Sequence, residues 1–303
     1  MKGLKMLRLL TSLAFLALIL SFVLKRADLC RLLESMGKIR AESLLLTSFL
    51  SVLAVMSSTL RWHLLLSGLR KTPFKNVLFA MLSGYYLLLI LPYGTGHIAK
   101  VGLVGGDYCD AAGSLMLGMI FETLILALLL SFNLHNKCLP LIFVGVLFLP
   151  ILGKKVYERE RLLARIREFC DRIPMLGGLL VTLGRDIETL GEDLLSFLLL
   201  ILLSILSLFA QLCGIWVLVH SLGYNLGIGE LSLAFASSVF LGLIGGTPGG
   251  LGGNEFGLAI ALERSGIPLE SSLSIALVFK TLFQYAYAPI GGIIFHLRVG
   301  VRD

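Results

Sequence analysis

Pro92-Tyr93-Gly94-Thr95-Gly96 and Pro248-Gly249-Gly250-Leu251-Gly252 spell the same pattern, Pro-x-Gly-x-Gly, twice in a chain of 303 residues. The first closes the apolar run Val77 to Leu91, the second the apolar run Leu231 to Ile244, and each is left through polar residues. Proline removes a backbone donor and glycine permits tight turning, so a helix arriving at either motif stops there. The runs are too hydrophobic for surface loops of a soluble protein, which places both breaks inside a bilayer. Each freed N–H and C=O there needs protein, water or ligand as its partner. The two motifs are the first pointer to a site, against the plainer reading of two kinks or close helix packing.

Composition agrees with a membrane setting. The chain is 57% hydrophobic and 15% charged, with a mean hydropathy of +0.92, whereas a soluble domain carries about 25% charged residues. The net charge of +7 resides mostly in Lys and Arg flanking apolar runs, the pattern of anchoring at an anionic inner leaflet; nucleic acid is not an expected partner. The five cysteines form no C-x-x-C pair, and no two of the five histidines stand at i, i+4. Neither a zinc site nor a disulfide framework is expected, and no cofactor motif is present. No G-x-S-x-G elbow occurs, so the sequence declares no catalysis and the expectation is a protein that is not an enzyme.

The expected fold is an all-α polytopic membrane protein. It has about six full transmembrane helices and two re-entrant hairpins in an inverted repeat, within one integral membrane domain covering 1–303. Leu7 to Leu24, behind Lys2, Lys5 and Arg8, reads as an uncleaved first span. Arg26 to Glu42 reads as a short surface helix, and Leu44 to Leu66 as a span. Val77 to Leu91 enters the first motif, and the ten residues His97 to Gly106 behind it are too few to cross. Ala112 to Phe132 and the shorter Leu139 to Leu152 complete the first half, 1–152. An amphipathic cytoplasmic segment, 153–193, carries Leu162, Leu163, Ile166, Phe169, Cys170 and Ile173 at helical spacing and is expected to lie along the membrane surface. The second half, 194–303, holds the span Leu194 to His220, the run Leu231 to Ile244 into the second motif, a short return Asn254 to Leu262, and the last span Ser271 to Phe295.

With both hairpins returning to the side they entered and both termini in the cytoplasm, inside segments carry more than twice as many Lys and Arg as outside ones, as the positive-inside rule asks. Treating the first motif segment as a crossing, with the amino terminus outside, keeps an inside excess too. Symmetry favours the hairpins: one opens from the cytoplasm and one from outside, the inverted repeat that in transporters brings broken helices together near the midplane.

Several residues could then carry chemistry. Half-helix N-termini behind the motifs suit an anionic group such as a lipid phosphate. Glu122 lies midway along Ala112 to Phe132 and Lys280 within Ser271 to Phe295. A charge at such depth costs roughly 2.5 to 3.5 kcal/mol, so each should face a partner or water. Either the two pair with each other, or Lys280 meets a phosphate and Glu122 meets a cationic or hydroxyl-bearing part of a headgroup, or a coupling proton. Gln284, four residues on, shares the face of Lys280. His97 and Lys100 follow the first motif, Asn254 and Glu255 the second. Lys100 either stays at depth or snorkels to the surface. Arg61 and Trp62 read as interface anchors or headgroup ligands. Tyr85, Tyr86, Tyr285 and Tyr287 either line a headgroup path or pack.

At these residues the chain resembles a known family. Arg61-Trp62, the stretch GYYLLLILPYGTGHIAKVGL (84–103), the stretch GGTPGGLGGNEFGLAIAL (245–262) and a basic residue in the last span are together similar to the flippase-like membrane domain of lysylphosphatidylglycerol synthetase and its stand-alone relatives. PGGLG followed by Glu255 is the most specific element. His97 and Lys100 stand where that family more often has an acidic residue and an arginine, its Glu-Arg-x-x-Asp pattern is reduced to Glu122-Thr123, and its last-span arginine is Lys280.

The resemblance implies movement of an anionic or sugar-bearing lipid between leaflets of the cell's inner or plasma membrane, without the synthetase domain. The substrate-binding set is then Arg61, Pro92, Gly94, Gly96, His97, Lys100, Glu122, Pro248, Gly249, Gly250, Gly252, Asn254, Glu255, Lys280 and Gln284. The alternatives are an integral membrane enzyme acting on a lipid-linked sugar or phosphate, with Glu122 or Glu255 as general base, and an accessory subunit partnering a lipid-modifying enzyme. The sequence assigns no oligomeric state.

Overall fold

A computed structural model of the chain describes residues 2–91, 95–132, 138–147, 182–190 and 193–299. Pro92, Gly94 and the apolar residues Leu162 to Ile173 of the amphipathic segment lie outside the described residues. Among the described residues regular structure is helical throughout. Five helices are long and apolar enough to cross a membrane: Ala41–Leu69, Tyr108–Ser131, Leu194–Ser221, Ile228–Gly245 and Leu269–Arg298. The protein is an all-α, multi-pass membrane protein.

In chain order the helices are α1 (Lys2–Arg26), α2 (Leu29–Gly37), α3 (Ala41–Leu69), α4 (Phe74–Ile90), α5 (Thr95–Leu103), α6 (Tyr108–Ser131) and α7 (Cys138–Leu147). Then follow α8 (182–190), α9 (Leu194–Ser221), α10 (Ile228–Gly245), α11 (Gly253–Arg264), α12 (Leu269–Lys280) and α13 (Tyr287–Val299). Polar starts are capped as expected. Asp28 accepts from the backbone N–H of Cys30 and Arg31 ahead of α2, and Asp107 accepts from Cys109 and Asp110 ahead of α6, satisfying donors a helix cannot satisfy itself.

The chain forms two compact units. One comprises Met1–Leu53, Leu82–Ala99 and Phe209–Asp303; the other comprises Ala54–Met81 and Lys100–Leu208. Each draws on both halves of the sequence.

The first unit is organised around two sharp reversals. α10 and α11 lie antiparallel in close contact because α11 presents glycine to α10: a Cβ on Gly253 would stand 2.6 Å from the Leu241 carbonyl oxygen, and one on Gly257 would collide with the Ser237 carbonyl. At about 1.5 Å per residue, the 12-residue α11 is about 18 Å long, short of the roughly 30 Å hydrocarbon core. The other reversal joins α4 to α5, where a Cβ on Gly96 would come within 2.8 Å of Leu88 Cα. α2 packs on α12 through Ser35 Oγ and Ser271 Oγ at 3.0 Å and through Ser274 Oγ donating to the Leu32 carbonyl at 3.0 Å.

The last span is not one uniform helix, as Ser271 to Phe295 had suggested. α12 ends at Lys280, a π-turn occupies Thr281–Tyr285, and α13 continues from Tyr287. The N–H of Ala286 donates five residues back to the Thr281 carbonyl at 2.8 Å. The adjacent Leu282 carbonyl takes the Ser51 hydroxyl of α3 at 2.7 Å, and Ser51 in turn lies 2.6 Å from the Tyr287 hydroxyl. π-turns of this kind rearrange the backbone locally and recur at functional positions. The expected span Leu139 to Leu152 appears as the 10-residue α7, with 148–152 outside the described residues.

In the second unit α8 docks where glycine leaves room. Cβ atoms on Gly68 of α3 and Gly113 of α6 would meet Thr189 and Thr182 at 3.2 and 2.6 Å. Arg185 of α8 reaches Asp110 at 3.5 Å. Asp186, one residue on, is buried with its Oδ2 unpartnered. Burial, then the nearby Asp110 charge, push its carboxyl up to about 7, with Arg185 opposing.

Two outcomes follow from these contacts. Gly257→Ala should lower the thermal unfolding midpoint of detergent-purified protein, on the order of 1–3 kcal/mol for an overpacked contact. Gly102→Ala, where a Cβ meets nothing within 4 Å, should leave it equal or higher. For Asp186, the fold holds on to a proton that the unfolded chain releases near 3.8. Stability from this group is therefore complete below pH 4, falls as pH climbs to about 7 and is level above. Asp186→Asn should flatten that decline in unfolding midpoints measured from pH 4 to 8.

Candidate functional site

The second motif is built by backbone that only glycine adopts easily. Pro248–Gly250 forms a single 3-10 turn, and Gly249, Gly250 and Gly252 all have positive φ, at 61°, 72° and 78°. The turn leaves carbonyls without helical partners, and side chains supply them. The Gly249 carbonyl accepts from Asn254 Nδ2 at 3.0 Å and from Gln284 Nε2 at 2.8 Å. One amide comes from the first turn of α11 and the other from the π-turn, so a single oxygen ties the broken hairpin to the broken last span. α4 also reaches this turn: a Cβ on Gly249 would lie 3.2 Å from Leu89 and 3.4 Å from the Leu88 carbonyl.

Beside this turn is a cavity of about 190 Å³ whose wall includes Tyr85, Gln211, Gly249, Asn254, Lys280 and Gln284. Lys280 is the cation in that wall. It is buried, at 9% exposure, and among the described residues it makes no hydrogen bond and no ion pair within 4 Å. The acid acting on it electrostatically is Glu255, buried in the first turn of α11. Glu255 Oε1 accepts a short hydrogen bond from the Tyr285 hydroxyl, while its Oε2 has no partner. An orphaned buried carboxylate oxygen is costly and rare enough to need an explanation.

The second unit holds a different arrangement of charge. Arg61 of α3 is buried and donates through Nη2 to Glu122 Oε2 of α6 at 2.5 Å and through Nη1 to Ser204 Oγ of α9 at 3.3 Å. Ser207, one turn along α9, donates to Glu122 Oε1 at 3.1 Å. Trp62 Nε1 donates to the Ala111 carbonyl at 3.1 Å and to Ser114 Oγ at 3.2 Å. Lys100 Nζ lies 5.8 Å from the centroid of the Trp62 ring and 3.8 Å from Met81 sulfur. An ammonium over an indole face is an attraction that strengthens when water is excluded.

The site residues expected from sequence therefore fall into two groups. Gly249, Asn254, Lys280 and Gln284 surround the cavity, with Glu255 acting on its lysine, Pro248 and Gly250 in its turn and Gly252 at the start of α11. Arg61, Lys100 and Glu122 belong to the second unit. Gly96 is buried against Leu88, and Pro92, Gly94 and the His97 side chain lie outside what the structure describes.

Three alternatives left open by the sequence can be narrowed. Arg61 and Trp62 are buried donors in a helix-packing network, not interface anchors. The partner of Glu122 is Arg61 instead of Lys280, whose neighbouring acid is Glu255. Lys100 is buried at 5% exposure and does not snorkel to the surface, because the Trp62 face takes its charge. Among the tyrosines, Tyr85 lines the cavity, Tyr86 contacts His296 at 3.1 Å, and Tyr287 serves the π-turn. Sequence reasoning missed Tyr285 as the donor to Glu255 and Gln211 in the cavity wall. The only signal for either was a polar residue within an apolar run.

Removing one partner of the Arg61–Glu122 pair leaves a desolvated charge, so Arg61→Met or Glu122→Met alone should each cost on the order of 3 kcal/mol. Arg61→Met combined with Glu122→Met should recover most of that loss in detergent unfolding measurements. Additive losses would mean that the two side chains are not coupled.

No curated protein matches the chain. A family model described as lysylphosphatidylglycerol synthase TM region matches residues 9–291, which takes in both motifs, the cavity and the Arg61 network. The chain belongs to the lysylphosphatidylglycerol synthase TM-region family.

Proposed function

We propose that this protein is a lipid transporter. It moves an anionic or glycosylated lipid, on a phospholipid or polyprenyl scaffold, between the leaflets of the cell's inner or plasma membrane, and leaves the lipid chemically unchanged. The observation that carries the reading is Lys280, a buried ammonium without hydrogen bond or ion pair among the described residues, set in the wall of a cavity lined by both polar and apolar side chains. Glu255 acts on it electrostatically without forming an ion pair within 4 Å, and a phosphate on a lipid headgroup supplies an anion at contact distance while its chains stay in hydrocarbon.

Further support comes from the chemistry around Lys280. The Asn254 and Gln284 amides, the Tyr85 and Gln211 side chains and the start of α11 offer hydrogen bonding beside the positive end of a half-helix. Family membership points the same way, since the family description names the membrane region of a phospholipid synthase. The short α5 and α11 fit re-entrant hairpins opening from opposite faces as an inverted repeat, and the Lys and Arg distribution fits cytoplasmic termini. An enzyme that modifies the same lipid is the partner class this reading implies.

In proteoliposomes carrying fluorescent phosphatidylglycerol, Lys280→Glu and Lys280→Gln should abolish leaflet exchange while the purified variants elute and unfold like the parent. Lys280→Arg should retain a measurable rate. Unchanged exchange in the first two would remove Lys280 from the mechanism, and recovery of chemically altered lipid would replace transport with catalysis.

A further inference from the structure

The cavity wall holds one ammonium, and one carboxylate acts on it from the neighbouring helix, yet the two are not joined by an ion pair within 4 Å. Glu255 is 94% buried, its Oε1 is taken by the Tyr285 hydroxyl, and its Oε2 has nothing. Among the described side chains, the helices packed against α11 bring no other titratable group to it. α10 carries only Glu230, which caps its own first turn at Gly227; described α1 ends in Lys25 and in Arg26, which pairs with Glu263 at the far end of α11; α12 carries Glu270 in its first turn and Lys280 in its last. The groups that face Glu255 are thus Lys280 and Tyr285.

Empty, this site is balanced, one positive charge against one negative. A monoanionic phosphodiester entering at Lys280 would leave two anions against one cation in a medium where an unbalanced charge is expensive. From this we propose that binding of an anionic lipid at Lys280 is coupled to uptake of one proton by Glu255, so that lipid and proton occupy the site together. The inference rests on the transporter reading given above and adds to it the coupled ion. One solvent proton forms an O–H bond on the free Oε2, no other bond changes, and the occupied site regains the net charge of the empty one. The new O–H makes Oε2 a donor whose hydrogen bond an oxygen of the bound headgroup can accept, while Oε1 keeps its bond from Tyr285. A carrier loaded in this way moves a neutral pair, and a proton gradient then biases the direction of lipid movement.

The experiment uses the full chain in detergent, titrated with short-chain phosphatidylglycerol by calorimetry in two buffers of different ionisation enthalpy, across pH 6 to 9. The expected result is about one proton taken up per lipid bound, with affinity falling up to tenfold per pH unit where Glu255 is ionised in the empty protein. Glu255→Gln, which keeps the shape and the acceptor for Tyr285, should lose that proton uptake at the acid end of the range. Tyr285→Phe should retain uptake but move the pH midpoint of binding upward, because the carboxylate loses the donor that stabilises it. Lipid binding by the parent without proton uptake, or unchanged uptake in Glu255→Gln, would overturn the coupling alone. Failure of the parent to bind any lipid would overturn the Lys280 site itself.

Discussion

The carbonyl oxygen of Gly249 accepts two side-chain amides, from Asn254 and Gln284, and the first unit is arranged to make that possible. A chain that breaks a helix within hydrocarbon must find partners for the backbone groups it frees. Three glycines at positive φ turn the backbone so that the oxygen points toward both donors. Asn254 can reach it because α11 restarts immediately. Gln284 can reach it because the last span is itself re-phased by a π-turn, and that turn in turn has its Leu282 carbonyl served by Ser51. The break at the motif and the break in the last span are therefore one structure. The cavity lies beside their junction, and Lys280 is in its wall because the α-helical register ends there.

The Arg61 and Lys280 clusters treat buried charge in opposite ways. Around Arg61 nearly every polar atom has a nearby complement: Glu122 receives Arg61 on one oxygen and Ser207 on the other, and Ser204 takes a second guanidinium nitrogen. A network satisfied to that degree binds α3, α6 and α9 and specifies their register. Around Lys280 the complement is unfinished, with an ammonium lacking an anion at contact distance and a carboxylate lacking one hydrogen bond. A buried polar atom left in that state calls for an explanation, at Glu255 as at Asp186.

Much of this was legible in the sequence, and the reason is local. Proline and glycine spacing marks a break wherever it occurs, and span lengths follow from the count of apolar residues, so the helix ends at the motifs and four of the five described spans could be read directly, whereas Ile228–Gly245, read as a hairpin arm, is long enough to cross. The cavity residues Asn254 and Gln284 were legible because each sits beside a landmark, the second motif or Lys280. The partner of Glu122 was not. Arg61 is close to the polar end of its apolar run and looks there like any interfacial arginine; only the packing of α3 on α6 and α9, 61 and 143 residues away, removes it from water. Nor does any residue type announce a π-turn. Thr281–Tyr285 continues a good apolar helix, and its extra residue becomes visible only when Ala286 bonds five residues back.

That hidden turn decides which residue of the last span faces the cavity. A π-turn inserts a residue into helical register, so faces that align on one side of it do not align on the other. Lys280 ends the regular portion, Gln284 lies within the turn and Tyr285 closes it. In an uninterrupted helix, positions 280 and 284 share one face and 285 lies about 100° around from 284. Here Gln284 bonds the motif carbonyl while Tyr285 reaches Glu255 on α11, so neighbouring residues serve the two ends of the same half-helix start. The site thus depends on a local departure from helical geometry as much as on residue identity. A lysine, a glutamine and a tyrosine at the same positions in a straight span would share the composition of this site without assembling it.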